Sequence, residues 1–132
     1  MASGKILIAA IAVVVLARSA AAQSGDGSFA SPSRFQERDG AAIYLHICQG
    51  CHMAGGKGAI GAGAFPALAG NRKLEQAGYP ALVVLNGLHG MPPFAATLDD
   101  AQIAAVVNYV RSHFGNAYGT DVTSNDVHAS RQ

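Results

Sequence analysis

The chain has 132 residues, with nine Lys and Arg against eight Asp and Glu, and half of its residues are hydrophobic. That length leaves room for one small domain. A nucleic-acid role is disfavoured, because no cluster of Lys or Arg interleaved with aromatics provides the electrostatic footprint.

The N-terminus carries a single early cation, Lys5, then an unbroken apolar run over residues 6–17, then "RSAAAQ" with small residues at Ala20 and Ala22. This pattern predicts a secretory signal peptide over residues 1–22, cleaved after Ala22. The competing reading is an uncleaved membrane tether. It needs about 20 apolar residues to cross the hydrocarbon core, and the run supplies twelve. Removing Lys5 and Arg18 leaves seven basic against eight acidic residues, so the processed chain is near neutral. Residues 23–33, "QSGDGSFASPS", are Gly/Ser-rich without apolar periodicity and read as a flexible leader.

From about Phe35 a helical pattern begins, with Gly40, Ala41, Tyr44, Leu45 and Cys48 at helical spacing. Residues 53–70 contain six glycines and no amphipathic period, which suits a loop lying close against a bulky object. "NRKLEQA", 71–77, gives weaker support for a helix. "GYPALVVLNG" predicts a short helix with Pro80 at its first position and Gly87 just past its end. "TLDDAQIAAVVNYVRSHFG" predicts the strongest helix. Thr97 and Asp100 resemble a capping box, Ile103, Val106, Val107 and Val110 form an apolar stripe, and Gly115 marks the stop. Residues 116–132 form a polar tail, and the sequence leaves open whether it lies on the domain. Nothing reads as a sheet, so the expectation is an all-α fold of three to five short helices. Such a chain buries little apolar surface for its size. A large flat apolar cofactor supplies the missing core.

The chemistry centres on "HICQGCHMAGG", which holds both cysteines. Export favours disulfides, yet a Cys48–Cys51 bridge closes a loop too short to constrain much of the unfolded chain. A thioredoxin-like redox pair needs a βαβ context, and no strand precedes these cysteines. A zinc site needs four ligands, and none of His46, His89, His113 and His128 lies in a paired-histidine spacing beside the cysteines. C-x-x-C-H is the attachment sequence of c-type haem. Two cysteines three apart bond to two carbons on one side of the macrocycle, and His52 presents a nitrogen to the iron. The predicted cofactor is one covalently bound haem c, held through Cys48 and Cys51.

A sixth iron ligand is expected downstream. Met91, in "NGLHGMPPF", is followed by two prolines that stiffen the backbone and fix where the thioether points. His89 is its competitor, whereas Met53 adjoins His52 and cannot easily reach the opposite haem face. The ordinary reading of His46 is that it packs or faces water.

With attachment motif, glycine-rich loop, methionine loop and final amphipathic helix in this order, the chain resembles the class I c-type cytochromes over about residues 34–114. The resemblance implies a cytochrome c domain over 34–115 whose first and last helices cross at Gly40, Tyr44 and Tyr109. It also implies that the carbonyl of Pro66, in "FPALAG", accepts a hydrogen bond from the proximal His52, and that Leu68 packs on the haem. "FPALAGN", "GMPPF", "LDDAQIAAVVNYVRSHFGN" and "VTSNDVHASR" together look like the cytochrome c domains that accompany periplasmic dehydrogenases. The chain departs from those subunits in having one attachment motif and no second hydrophobic span.

The function implied is one-electron carriage in the periplasm by a non-catalytic monomer or loosely associated subunit. It takes electrons from a dehydrogenase and passes them to a respiratory acceptor, with no membrane span in the mature chain. Two alternatives stay open: a permanent cytochrome subunit of a dehydrogenase complex, and a haem enzyme or gas-binding protein with an open iron site. Docking is expected at apolar residues of 62–65 and 92–94, and Arg72 and Lys73 are candidates for haem propionates or simply a solvated basic turn.

Overall fold

The computed structural model describes residues 35–61 and 63–131. The signal peptide and leader expected over residues 1–33 lie outside the described residues, as does Ala62 from the expected docking stretch.

The first helix begins at Asp39, whose carboxylate accepts the amide of Ala42 and satisfies one of the orphan donors of the first turn. It runs as α1 (Gly40–Ile43), a π-helical turn (Tyr44–Cys48) and α2 (Gln49–His52) without a break. Phe35 to Arg38 are not helical, so the helix starts later than its apolar pattern suggests. The π turn is closed by the amide of Gln49 bonding to the carbonyl of Tyr44. Such widened turns are rare and concentrate at functional sites; this one ends on the first cysteine.

A short 3₁₀ turn (Ala54–Gly56) follows, then β1 (Ala59–Ile60) and β2 (Ala64–Phe65). These pair antiparallel, Ala59 opposite Phe65 and Ile60 opposite Ala64. This ladder is the departure from an all-helical reading. Two residues per strand carry no alternation a sequence can display, so helices predominate but the glycine-rich stretch is not purely loop. Residues 71–77 contain a single 3₁₀ turn (Arg72–Glu75), started by the Asn71 side chain accepting the Lys73 amide.

Helix α3 (Gly78–Asn86) begins two residues before Pro80, which is tolerated because first-turn nitrogens have no helical partner. Gly87 ends it at φ 72. Helix α4 (Asp100–Ser112) is capped by Asp99 with Gln102, a reciprocal capping box two residues beyond the Thr97–Asp100 pair. Thr97 instead lies in a turn, its amide bonded to the Phe94 carbonyl. Helix α5 (Ser124–Ala129), with its own Thr123–Asp126 capping box, shows that the tail packs on the domain.

The core is built where α4 meets α1, α3 and α5. Ile43, Leu85, Ile103, Val107 and Val127 are almost fully buried, and the α4 stripe faces inward as its period requires. Gly40 makes the α1–α4 crossing possible: a Cβ there would lie 2.3 Å from the Ala105 carbonyl oxygen and 2.9 Å from the Tyr109 Cβ. Around this crossing Tyr44, Tyr109 and Phe114 form an aromatic cluster with centroids 4.8 to 5.8 Å apart.

Candidate haem-binding site

Cys48 and Cys51 lie on the last turns of the first helix and are free thiols. Cys48 is half-buried against the core, and burial, then the nearby Cys51, pushes its thiol up to about 11. It is therefore neutral at physiological pH. Cys51 is exposed.

His52 is buried at the end of α2, and its Nδ1 lies 2.9 Å from the Pro66 carbonyl oxygen. That oxygen can only accept, so Nδ1 carries a hydrogen, and in the neutral ring Nε2 is the nitrogen with the lone pair. No hydrogen bond among the described residues engages Nε2. The chain reverses immediately afterwards at Met53, a non-glycine residue with φ 64. Tyr44 clamps this reversal by donating its buried hydroxyl to the Met53 carbonyl at 2.7 Å. Burial raises the Tyr44 pKa, which keeps the hydroxyl a donor.

The Pro66 loop is held from several sides. The Gly58 amide bonds to the His52 carbonyl, and the Leu68 and Ala69 amides both bond to the Gly56 carbonyl. Gly58, at φ +66, has the Pro66 backbone so close that a Cβ would sit 2.8 Å from the Pro66 carbonyl carbon. Asn71 Nδ2 donates to the Ala67 carbonyl. The buried Asn116 donates to the Leu68 and Val110 carbonyls and accepts the Asn71 amide. Leu68 is half-buried against the core. An open concavity of about 600 Å³, largely apolar, is lined by residues 57–60 and 64–67.

Met91 occupies a separate, tightly folded loop. Leu88 and Met91 exchange both backbone hydrogen bonds, at 2.9 and 3.0 Å, around a reversal in which His89 adopts φ 53. Gly87 lies under this loop, where a Cβ would meet the Met91 carbonyl oxygen at 2.5 Å. The Phe94 amide ties the loop's far side to the Val84 carbonyl of α3. Met91 is half-buried and His89 exposed. His46 is exposed with its ring 6.3 Å from that of Phe35, and Arg72 and Lys73 are exposed.

The donor set fits an iron porphyrin: two free thiols one helical turn apart, then an imidazole held by one nitrogen with the other available. Such a group, once bound, would be held by Cys48, Cys51 and His52. Three buried polar residues that no motif marks hold the fold around this site. Asn116 steadies the Pro66 loop. Gln102, 1% exposed, donates to the Phe35 and Glu37 carbonyls and accepts the Asp99 amide. Arg111, 3% exposed, donates to the Leu74, Glu75 and Gly119 carbonyls and to Asp121. The one available signal was their presence on or beside the α4 stripe, where a polar residue must find partners.

The family model described as cytochrome c oxidase, cbb3-type, subunit III matches residues 35–110. Cytochrome c-552 of Thermus thermophilus is 40% identical over 98 residues, covering 61% of this chain and 72% of that protein. The fructose dehydrogenase cytochrome subunit of Gluconobacter japonicus is 38% identical over 98 residues, 62% of this chain. The cytochrome c subunit of the quinone alcohol dehydrogenase of Gluconobacter oxydans (strain 621H) is 32% identical over 109 residues, 73% of this chain. The matches span only 20% and 22% of the length of those two subunits. A family match over most of the described residues, agreeing with a thiol–thiol–imidazole arrangement suited to haem c, places the chain in the cytochrome c family of electron-transfer proteins.

Proposed function

We propose that the chain is an exported monohaem cytochrome c, with thioether bonds from Cys48 and Cys51 and His52 and Met91 as axial iron ligands. The observation that carries this reading is the His52–Pro66 hydrogen bond, which commits Nδ1 and leaves Nε2 free to ligate. Haem c, once bound, supplies a one-electron couple, at a comparatively high potential under Met/His ligation. The rest of the work belongs to the polypeptide. Pro66 orients the imidazole and would raise its basicity, Tyr44 and Gly58 fix the chain reversal behind it, and Leu68 would pack against the bound haem. The Leu88–Met91 pairing and the two prolines set the direction of the thioether. With His52 and Met91 both given to the iron, no substrate would need to bind it.

In this reading residues 34–115 form the cytochrome domain, and the mature protein works in the periplasm. It carries electrons from a dehydrogenase to a respiratory acceptor. Among the described residues no helix is long and apolar enough to cross a membrane. Docking is by a small, transient interface of under about 1,200 Å². The exposed apolar hairpin, with Ile60 96% and Phe65 39% exposed, and the exposed Pro92 and Pro93 are the candidate contact surface.

A second reading, a permanent subunit of a dehydrogenase complex, is favoured by the names of the dehydrogenase relatives. Co-purification decides between them. A shuttle is released from a membrane-bound dehydrogenase by a high-salt wash yet is reduced by it on mixing; a subunit stays at fixed stoichiometry. Failure of any periplasmic dehydrogenase preparation to reduce the oxidised protein would contradict both.

A further inference from the structure

Among the described residues, the C-terminal segment hydrogen-bonds the turn after the methionine loop through one side chain, Arg131. It leaves α4 pinned at its start by Arg111, which donates to the Gly119 carbonyl at 2.6 Å and to Asp121 at 2.5 Å. Asn108 then bonds Val122 in both directions, at 2.8 and 3.1 Å. Val122 and Val127 sink into the same core as Leu85 and Leu98. After α5 comes Arg131. This guanidinium donates to the Ala95 carbonyl at 2.7 Å and the Leu98 carbonyl at 2.9 Å, and its Nε is paired with Asp100. Ala95 and Leu98 bracket the turn that carries the chain from Met91 through its two prolines to α4.

We propose that the tail is a clasp on the methionine loop, with Arg131 as the positioning residue that holds Met91 through the turn at Ala95 and Leu98. The proposal rests on the reading of Met91 as an iron ligand. Upstream, the loop is anchored by its fold over Gly87 and the Leu88 pairing; downstream, among the described residues, the hydrogen bonds that tie residues 92–98 to other elements are Phe94–Val84, the Phe35 amide on the Thr97 carbonyl, and those of Arg131. The planar fork suits the task, since it spans two carbonyls and a carboxylate at once, which a lysine ammonium cannot. Its side chain is three-quarters shielded from solvent, so these charge-assisted bonds are not dissipated by water. Removing them frees the downstream half of the loop and lets Met91 withdraw more often.

The test compares Arg131→Gln, Arg131→Lys and Met91→Ala with the parent holoprotein by two readouts. One is hydrogen exchange at the Phe94 and Leu98 amides, and the other is the rate of carbon monoxide binding to the reduced protein. Arg131→Gln should speed exchange at both amides and raise the carbon monoxide rate about tenfold, the effect of losing a charge-assisted hydrogen bond on an opening equilibrium. Arg131→Lys should fall between, and keeps the test open if Arg131→Gln folds poorly. Parental exchange in both Arg131 variants overturns the clasp. Faster exchange with an unchanged carbon monoxide rate overturns it too, leaving Arg131 as an anchor of the tail alone. Slow carbon monoxide binding in Met91→Ala would instead sink the ligand assignment, and with it any role for Arg131 at the iron.

Discussion

The imidazole of His52 and the carbonyl of Pro66, fourteen residues apart, are joined by a 2.9 Å hydrogen bond. An imidazole that donates to a carbonyl in this way would be a more basic iron ligand and would favour the ferric state. Pro66→Ala removes the ring that fixes the loop's φ and lets the carbonyl drift. The reduction potential should then rise, by up to about 60 mV, the tenfold interval of a one-electron couple. Spectroelectrochemical titration measures it, and a lowered potential would contradict the role assigned to the bond.

Gly40→Ala should be severe although it adds one methyl. The new Cβ would stand 2.3 Å from the Ala105 carbonyl oxygen, which is backbone and cannot rotate away. The helices must separate, at a cost of about 1–3 kcal/mol or more. Guanidinium unfolding of the holoprotein would show it as a lower midpoint; an unchanged midpoint would mean that the crossing is looser than described.

Gln102→Leu preserves bulk but strands the Phe35 and Glu37 carbonyls and the Asp99 amide. Losing these bonds inside the fold should destabilise by about 2–4 kcal/mol, since each unpaired group keeps its desolvation cost. Chemical denaturation checks this; a loss under about 0.5 kcal/mol, the range of ordinary surface changes, would show that solvent replaces the side chain.

The chemistry of the site was more legible in the sequence than its scaffolding. C-x-x-C-H is local, so the placement of Cys48, Cys51 and His52 on one helix end follows from five consecutive residues. The periodic stripe of α4 was equally clear, because burial of one face leaves a repeat. The true cap of α4 was not, because Thr97, Asp99 and Asp100 all offer capping oxygens and only the reach of Gln102 selects Asp99. The β1–β2 ladder was hidden by its shortness. Arg111, Asn116 and Arg131 were illegible for another reason: their partners lie up to 48 residues away, and no local pattern encodes them.

Acid should loosen both the cap of α4 and the tail's hold on the start of that helix. At Asp99 burial pushes upward, yet the Gln102 amide and the Arg38 guanidinium hold the carboxyl below the usual range. At Asp100 the hydrogen bond from Arg131 lowers it against slight desolvation, and His128 adds to the effect. A depressed folded-state pKa gives stabilisation that is complete above the unfolded value near about 4 and is lost as pH falls from there through the folded value. Proteolysis of the tail should therefore be faster at about pH 3 than at about pH 6, with the change setting in near and below about pH 4, and Asp100→Asn should flatten that dependence. Equal protection at both pH values would contradict it.

The central claim is that His52 and Met91 together close the coordination of a covalently held iron. Its most direct test is the reduced-minus-oxidised visible spectrum, with potential, of the exported protein and of Met91→Ala. The account predicts a low-spin six-coordinate signature in the parent that is lost in the variant, together with a steep fall in potential. An identical spectrum and potential in Met91→Ala would contradict it.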